Sequence, residues 1–264
     1  MTTRDEPWPD GTPSWVDLVV PDRHAAQAFY GPLFGWEFTE GGPETGYYMM
    51  CELAGRPAAG IGEMPPTDET PPAGWTTYLA TSDVDAAATR ITDAGGTVLM
   101  GPMGIEEFGR MLVAADPTGA VFGLWQAGQH RGSEVANEPG AYTWNECMTR
   151  DFEAAKAFYT NVFGYGIQDM SGVDVTYNVL EVAGNAVGGL GELGTSAPAA
   201  VPPHWLAYFA VDDTDATVTR ATELGGQLVR PAQDTPFGRM AVLAGPAGEW
   251  FAVMSQAADQ PPQP

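Results

Sequence analysis

Basic residues and cysteines are both scarce. Eleven lysines and arginines stand against 34 aspartates and glutamates, a formal net charge of −23. A surface that negative repels phosphate backbones and anionic lipid headgroups, so neither nucleic acid nor a membrane surface is an expected partner. The two cysteines, Cys51 and Cys147, are far apart and outside any CxxC pattern. That argues against a disulfide framework or a zinc site and for two buried thiols in a reducing compartment. No apolar run approaches the ~18 residues of a membrane span. The opening MTTRDEPWPDG lacks the apolar core of an export signal, so a cytoplasmic protein is expected. A GxSxG elbow, a P-loop and a dinucleotide GxGxxG after a strand are all missing.

What is present is a doubled sequence. WVDLVVPDRHAAQAFYGPLFGW (15–36) is answered by WNECMTRDFEAAKAFYTNVFGY (144–165). YLATSDVDAAATRITDAGGTV (78–98) is answered by YFAVDDTDATVTRATELGGQL (208–228). FGRM recurs at 108–111 and 237–240, and DPTGAVFGLW (116–125) is answered by GPAGEWFAVM (245–254). Order and spacing are kept along the whole chain. The expected organisation is an N-terminal extension (1–11), a first module (12–128), a polar linker (129–140), a second module (141–256) and a frayed tail (257–264).

Each module reads as α+β. In the first, a strand over Ser14–Val20 leads to Asp22, whose side chain can accept the free amides of a helix N-terminus. The helix AAQAFYGPLF stops at Gly35, a residue that tolerates the left-handed conformation of a helix end. Strands are predicted at Tyr47–Leu53 and Ala58–Met64, then a proline-rich loop (65–74) and a strand at Trp75–Ala80. Asp83 opens a second helix, stopped by Gly95-Gly96. Strands at Thr97–Met100, Arg110–Ala115 and Ala120–Gln126 close the module. Gly60, Gly62 and the Gly188–Gly191 stretch read as places where backbone is closely approached, not as phosphate loops.

The recurring pattern is strand, Asp, helix ending in FY, FG-aromatic, D-x-D-A, helix, GG, and a D-P-x-G turn before a last strand. It resembles the vicinal oxygen chelate superfamily of glyoxalases, bleomycin-resistance proteins and dioxygenases. Most similar in appearance are tandem glyoxalase-like proteins labelled hydroxylases or antibiotic-binding proteins. The resemblance implies two tandem modules, each of paired βαβββ units forming a curved-sheet cleft. It also implies where a divalent metal would be held. Those positions are Trp15 and Trp144 on the first strand, the neighbourhood of Thr76 and Leu206 on the fourth, and Gly123 and Ala252 on the last. None is an imidazole or carboxylate ligand, so no metal and no other cofactor is expected. A displaced metal site from Glu146 and His204 is the alternative.

Candidate site residues follow from alternation along the strands. Asp17 and Glu146 lie two residues past the tryptophans and share their face. Each is expected either to accept a hydrogen bond from a neighbouring Tyr or Arg, or to meet a polar ligand group. Trp15, Tyr48, Trp75 and Trp125 in the first module, and Trp144, Tyr177, Trp205, Tyr208 and Trp250 in the second, are aromatic platforms suited to a flat ligand. His204 lies at the mouth of the second cleft. Phe108 and Arg110, repeated as Phe237 and Arg239, begin a strand beside each cleft. The arginines either pair with Asp17 and Glu146 or anchor a ligand carbonyl or carboxylate. His24 and His130 read as helix-surface and linker residues without a role. The favoured function is metal-free binding, for sequestration or resistance, of a hydrophobic or aromatic small molecule. The alternative is a lyase, isomerase, dioxygenase or hydroxylase with a displaced metal, or a cofactor-independent enzyme using Asp17 or Glu146 as base. The chain is expected as a pseudo-dimeric monomer or as a homodimer.

Overall fold

The computed structural model describes residues 2–64, 72–173, 175–194 and 197–256. The proline-rich loop expected at 65–74 falls largely outside them, and the expected tail wholly so. The first module runs β1 (Pro13–Val20), α1 (Arg23–Phe34), β2 (Glu37–Glu40), β3 (Met49–Leu53) and β4 (Arg56–Glu63). It continues with β5 (Gly74–Ala80), α2 (Val84–Asp93), β6 (Thr97–Ile105), β7 (Gly109–Ala115) and β8 (Val121–Ala127). The second repeats the pattern: β9 (Tyr142–Thr149), α3 (Phe152–Phe163), β10 (Gly166–Asp169), β11 (Tyr177–Val182) and β12 (Asn185–Glu192). It ends with β13 (His204–Ala210), α4 (Thr214–Glu223), β14 (Gln227–Thr235), β15 (Gly238–Ala244) and β16 (Trp250–Gln256). Among the described residues no helix is long and apolar enough to cross a membrane.

Each module is one eight-stranded mixed sheet, in the order β2-β3-β4-β1-β5-β8-β7-β6 and β10-β11-β12-β9-β13-β16-β15-β14. The middle pair, β1 with β5, is antiparallel, while β4 and β8 flank it in parallel. This is the expected pair of βαβββ units. The strand β2 escaped the sequence reading because its EFTE is a largely exposed edge with no apolar alternation.

The helix boundaries follow their caps. Asp22 accepts from the amides of His24 and Ala25, and Gly35 closes α1 at φ +73°. Asp151 and Gly164 do the same for α3, while Asp83 and Asp213 cap α2 and α4.

Alternation sorts each strand into two faces. On β1, Val16 and Leu18 turn to the helices, whereas Trp15 and Asp17 take the opposite face. The helix-bearing faces of the two sheets meet and build two cores that mix the modules. One core joins Phe29, Tyr30, Phe34 and Trp75 to Phe209, Leu243 and Phe251. The other joins Ile91, Phe122 and Leu124 to Phe158, Tyr159 and Trp205. Polar bonds cross as well: Thr77 donates to Asn145 at 2.8 Å, and Trp36 Nε1 to the Gly140 carbonyl at 2.6 Å.

The segment expected as a polar linker is packed instead. Ser133, Val135 and Ala136 are buried, Val135 and Ala136 pair with Thr3 and Thr2, and the Ser133 amide donates to the Ser14 carbonyl at 2.7 Å.

Candidate functional site

The faces turned away from the helices form two clefts, one per module. In the second cleft, β9 presents Trp144 and Glu146, β11 presents Tyr177, and β13 presents His204, Leu206 and Tyr208. Leu206, Tyr208, Met240, Val242 and Ala252 form its apolar floor, with Trp144 and Met254 packed against them. Glu146 is half-buried at the centre. Tyr208 donates to its Oε1 at 2.6 Å, Tyr177 donates to its Oε2 at 3.0 Å, and Trp144 Nε1 donates to Tyr177 at 2.9 Å. Burial pushes the Glu146 carboxyl above its ordinary range, against the pull of Tyr208, Tyr177 and the Arg230 charge. Two donors leave carboxylate lone pairs unused, since a carboxylate offers about four acceptor sites. At the mouth, His204 meets the half-exposed Trp250 edge-on, with ring centroids 6.0 Å apart. The His204 Nδ1 lies 2.8 Å from the Pro202 carbonyl, which assigns the proton to that nitrogen.

The first cleft repeats the relay with one methylene less. Trp15 Nε1 donates to the Tyr48 hydroxyl at 3.0 Å, and Tyr48 reaches Asp17 Oδ2 only at 3.4 Å. The Tyr78 hydroxyl also favours the charged form of Asp17. Asp17 is 8% exposed, and burial pushes its carboxyl up to about 7 despite those hydroxyls. Its Oδ1 has no protein donor. Trp125 and Phe108 belong to this cleft, with Met50 and Met111 beside them. The repeated glycines explain how the tyrosines lie flat. A Cβ at Gly60 would fall 1.8 Å from the Tyr48 hydroxyl oxygen, and one at Gly189 would fall 1.9 Å from that of Tyr177.

Several expected site residues lie elsewhere. Trp75 and Trp205 point into the shared cores, where their indoles donate to Tyr30 and Tyr159 at 3.2 and 2.8 Å. They precede cleft-facing positions by one residue, so the pleat turns them to the helices. Arg110 and Arg239 reach neither Asp17 nor Glu146 and do not face the clefts. Arg110 clasps both carboxylate oxygens of Asp85. Arg239 holds Asp215 at 2.6 and 3.0 Å and Asp234 at 2.9 Å. The guanidinium beside each holds Asp85 and Asp215 below the usual carboxylate range. Phe237 is half-buried in the β14–β15 turn, its amide donating to Thr235, and it is not among the residues packed on the second cleft floor.

Three cleft residues went unassigned. Tyr78 opens the repeated segment 78–98 and aligns with Tyr208, so the repeat could have marked it, whereas Arg230 lies in no repeated motif. His130 carried a false one, since its polar neighbours read as linker. Its imidazole stands edge-on against Trp15, centroids 4.4 Å apart, and against Trp125 at 5.3 Å. Burial pushes it down to about 4.

The donor set does not fit a divalent metal. The row that would carry ligands holds Trp144, Tyr208 and Ala252 in register, and Trp15, Tyr78 and Gly123 in the first module. Each cleft brings one carboxylate, already engaged by tyrosines. Among the described residues no three His, Cys, Asp or Glu side chains converge.

Residues 12–124 and 144–253 both match the Glyoxalase/Bleomycin resistance protein/Dioxygenase superfamily. The chain belongs to this superfamily. It is 42% identical over 267 residues to the candidate glyoxylase CFP32 of Mycobacterium tuberculosis, covering 98% of this chain and 100% of that one. It is 40% identical over 257 residues to the anthracycline biosynthesis protein DauV of Streptomyces sp. strain C5, covering 92% and 93%. The Mn(II)-bound glyoxalase from Novosphingobium aromaticivorans shares the fold, with a TM-score of 0.65 at 17% identity over 93% of this chain and 82% of that one. A variant of homoprotocatechuate 2,3-dioxygenase from B. fuscum does so at 0.64 and 15%, over 98% and 76%. At that identity the likeness shows the fold alone, and chemistry rests on the clefts.

Proposed function

We propose that the protein binds a flat, hydroxylated aromatic small molecule in the second cleft, without a metal. The observation that carries this reading is the Glu146 carboxylate. It lies half-buried on an apolar face, fixed by two tyrosine hydroxyls, with acceptor capacity to spare and with Trp144 and Trp250 accessible at its edges. A ligand hydroxyl donating to an ionised carboxylate makes a short, strong bond, and the aromatic walls supply the rest by burial and stacking. Arg230 offers a positive charge to an acceptor group on the same ligand. Two anthracycline biosynthesis proteins of Streptomyces are about as similar to this chain as the mycobacterial relatives. Anthracyclines are fused planar rings with phenolic hydroxyls, the chemistry this cleft suits. Sequestering such a compound follows if it is bound and released unchanged.

Tryptophan fluorescence tests the reading. Titration with 1,8-dihydroxyanthraquinone is expected to quench the indoles, and Glu146→Gln to weaken binding by about tenfold or more through loss of the charge-assisted bond. Affinity should rise with pH as Glu146 loses its proton, above the ordinary carboxylate range. A panel of hydroxylated quinones that gave neither quenching nor a thermal shift would exclude the proposal.

The raised Glu146 titration supports a second reading, in which the same carboxylate abstracts a proton from a bound ketone or phenol. Turnover abolished by Glu146→Gln, with ligand binding largely kept, would select it.

A further inference from the structure

The first cleft is not an empty copy of the second. The chain leaves β8 and turns back over it: the amides of Gly128 and His130 both donate to the Phe108 carbonyl, at 2.9 and 3.0 Å. Trp125 Nε1 then donates to the His130 carbonyl at 2.8 Å. The turn lowers the His130 ring between Trp15 and Trp125, in edge-on contact with both. Trp15 is left only 3% exposed, while its counterpart Trp144 stays half-buried and reachable. The filling is good in shape and poor in polarity. His130 Nε2 and Asp17 Oδ1 are both buried without a hydrogen-bond partner among the protein groups. A group shaped by the cleft's own needs would have met the carboxylate, since buried polar atoms are seldom left unpaired.

We infer that the first cleft is the ligand site in a filled form, occupied by the chain's own His130, and that the protein therefore takes one ligand per chain, in the second module. The inference rests on the ligand reading above and deepens it, because it also sets the pose. By the repeat, Trp15, Tyr48, Tyr78 and Asp17 correspond to Trp144, Tyr177, Tyr208 and Glu146. The ligand's ring stands edge-on to Trp144, as His130 does to Trp15. Met254 replaces Trp125, so the far wall is flexible and admits a wider ring than imidazole. The ligand's donor reaches Glu146, the contact His130 fails to make with Asp17. The stretch that corresponds to the His130 turn, Ala257–Pro264, contains no aromatic or imidazole side chain.

The full-length chain decides the matter in two arms. Calorimetry with 1,8-dihydroxyanthraquinone is expected to give one site per chain; two equivalent sites would overturn the inference. His130→Gly opens a ring-sized space against Trp15, so 20 mM imidazole should raise its thermal midpoint by about 3 °C more than that of the unsubstituted protein. No such rescue, in His130→Gly or in His130→Ala if the glycine variant fails to fold, would show that the ring is not a stand-in for a ligand. The second arm needs no anthraquinone binding. If the quinone fails to bind while imidazole rescues, the ligand reading falls and the filled first cleft stands.

Discussion

Asp17 and Glu146 hold equivalent places in the repeat and differ by one methylene, yet their surroundings pull them apart. Asp17 is buried, whereas Glu146 is only half-buried. A carboxyl raised from 3.8 to about 7 is held neutral by the fold. The unfolded chain releases its proton near 4 and the folded chain does not. Stability from this group is therefore complete below about pH 4 and is lost as pH rises toward 7. Asp17→Asn should thus gain stability over the natural protein across that window, by about 1–3 kcal/mol at pH 8, in denaturant melts at several pH values. A gap that did not widen with pH would refute the assignment. Asp116 and Glu249 show a second exchange. Glu249 accepts from Tyr30 at 2.8 Å and from the Ala247 amide at 3.0 Å; Asp116, four positions earlier in the repeat, accepts from the matching Thr118 amide at 2.7 Å. Gly245 stands where Asp116 would be, and a Cβ there would fall 2.1 Å from Glu249 Oε1. Glu249→Ala should cost about 2–3 kcal/mol by leaving the buried Tyr30 O–H without its acceptor. Adding Gly245→Asp should return part of it, as a double-mutant cycle would show.

The elements owe their ends to single side chains. Four aspartates cap the four helices, and replacing Asp22 by Ala should cost about 1 kcal/mol, measurable by thermal unfolding. The D-x-D-A motif has a division of labour that its sequence does not show. Asp83 caps α2, while Asp85 grips Arg110 and ties the helix to β7; Asp213, Asp215 and Arg239 repeat this. Both arginines sit on the helix-bearing side. Arg110→Ala and Arg239→Ala should therefore leave quinone affinity within about twofold of the unsubstituted value, unlike Glu146→Gln. A tenfold loss in either would return it to the site. The strands were legible where apolar residues alternate, as on β1. The face of a tryptophan was not, because Trp75 beside Thr76 reads the same whichever way the pleat points.

At the scale of the molecule, the two largest cores are shared between the modules. Phe251 of the second packs on Phe29, Tyr30 and Phe34 of the first. Phe251→Ala should destabilise the protein by about 3–5 kcal/mol and keep unfolding to one transition, because the loss falls on both modules at once. Two resolved transitions in calorimetry would contradict the shared core.

The sequence by itself determined the doubled α+β unit, the helix caps, the superfamily and the want of metal ligands at the expected strand positions. These depend on local spacing and on residue type, and the repeat states them twice. Tertiary structure alone decided which way each strand faces, which halves of the modules share a core, and that His130 fills the first cleft. Those outcomes arise from contacts between residues distant along the chain, and no local pattern encodes them. Seen as a string, the two clefts are near equals; in the fold one holds the chain's own imidazole and the other leaves Glu146 half-buried.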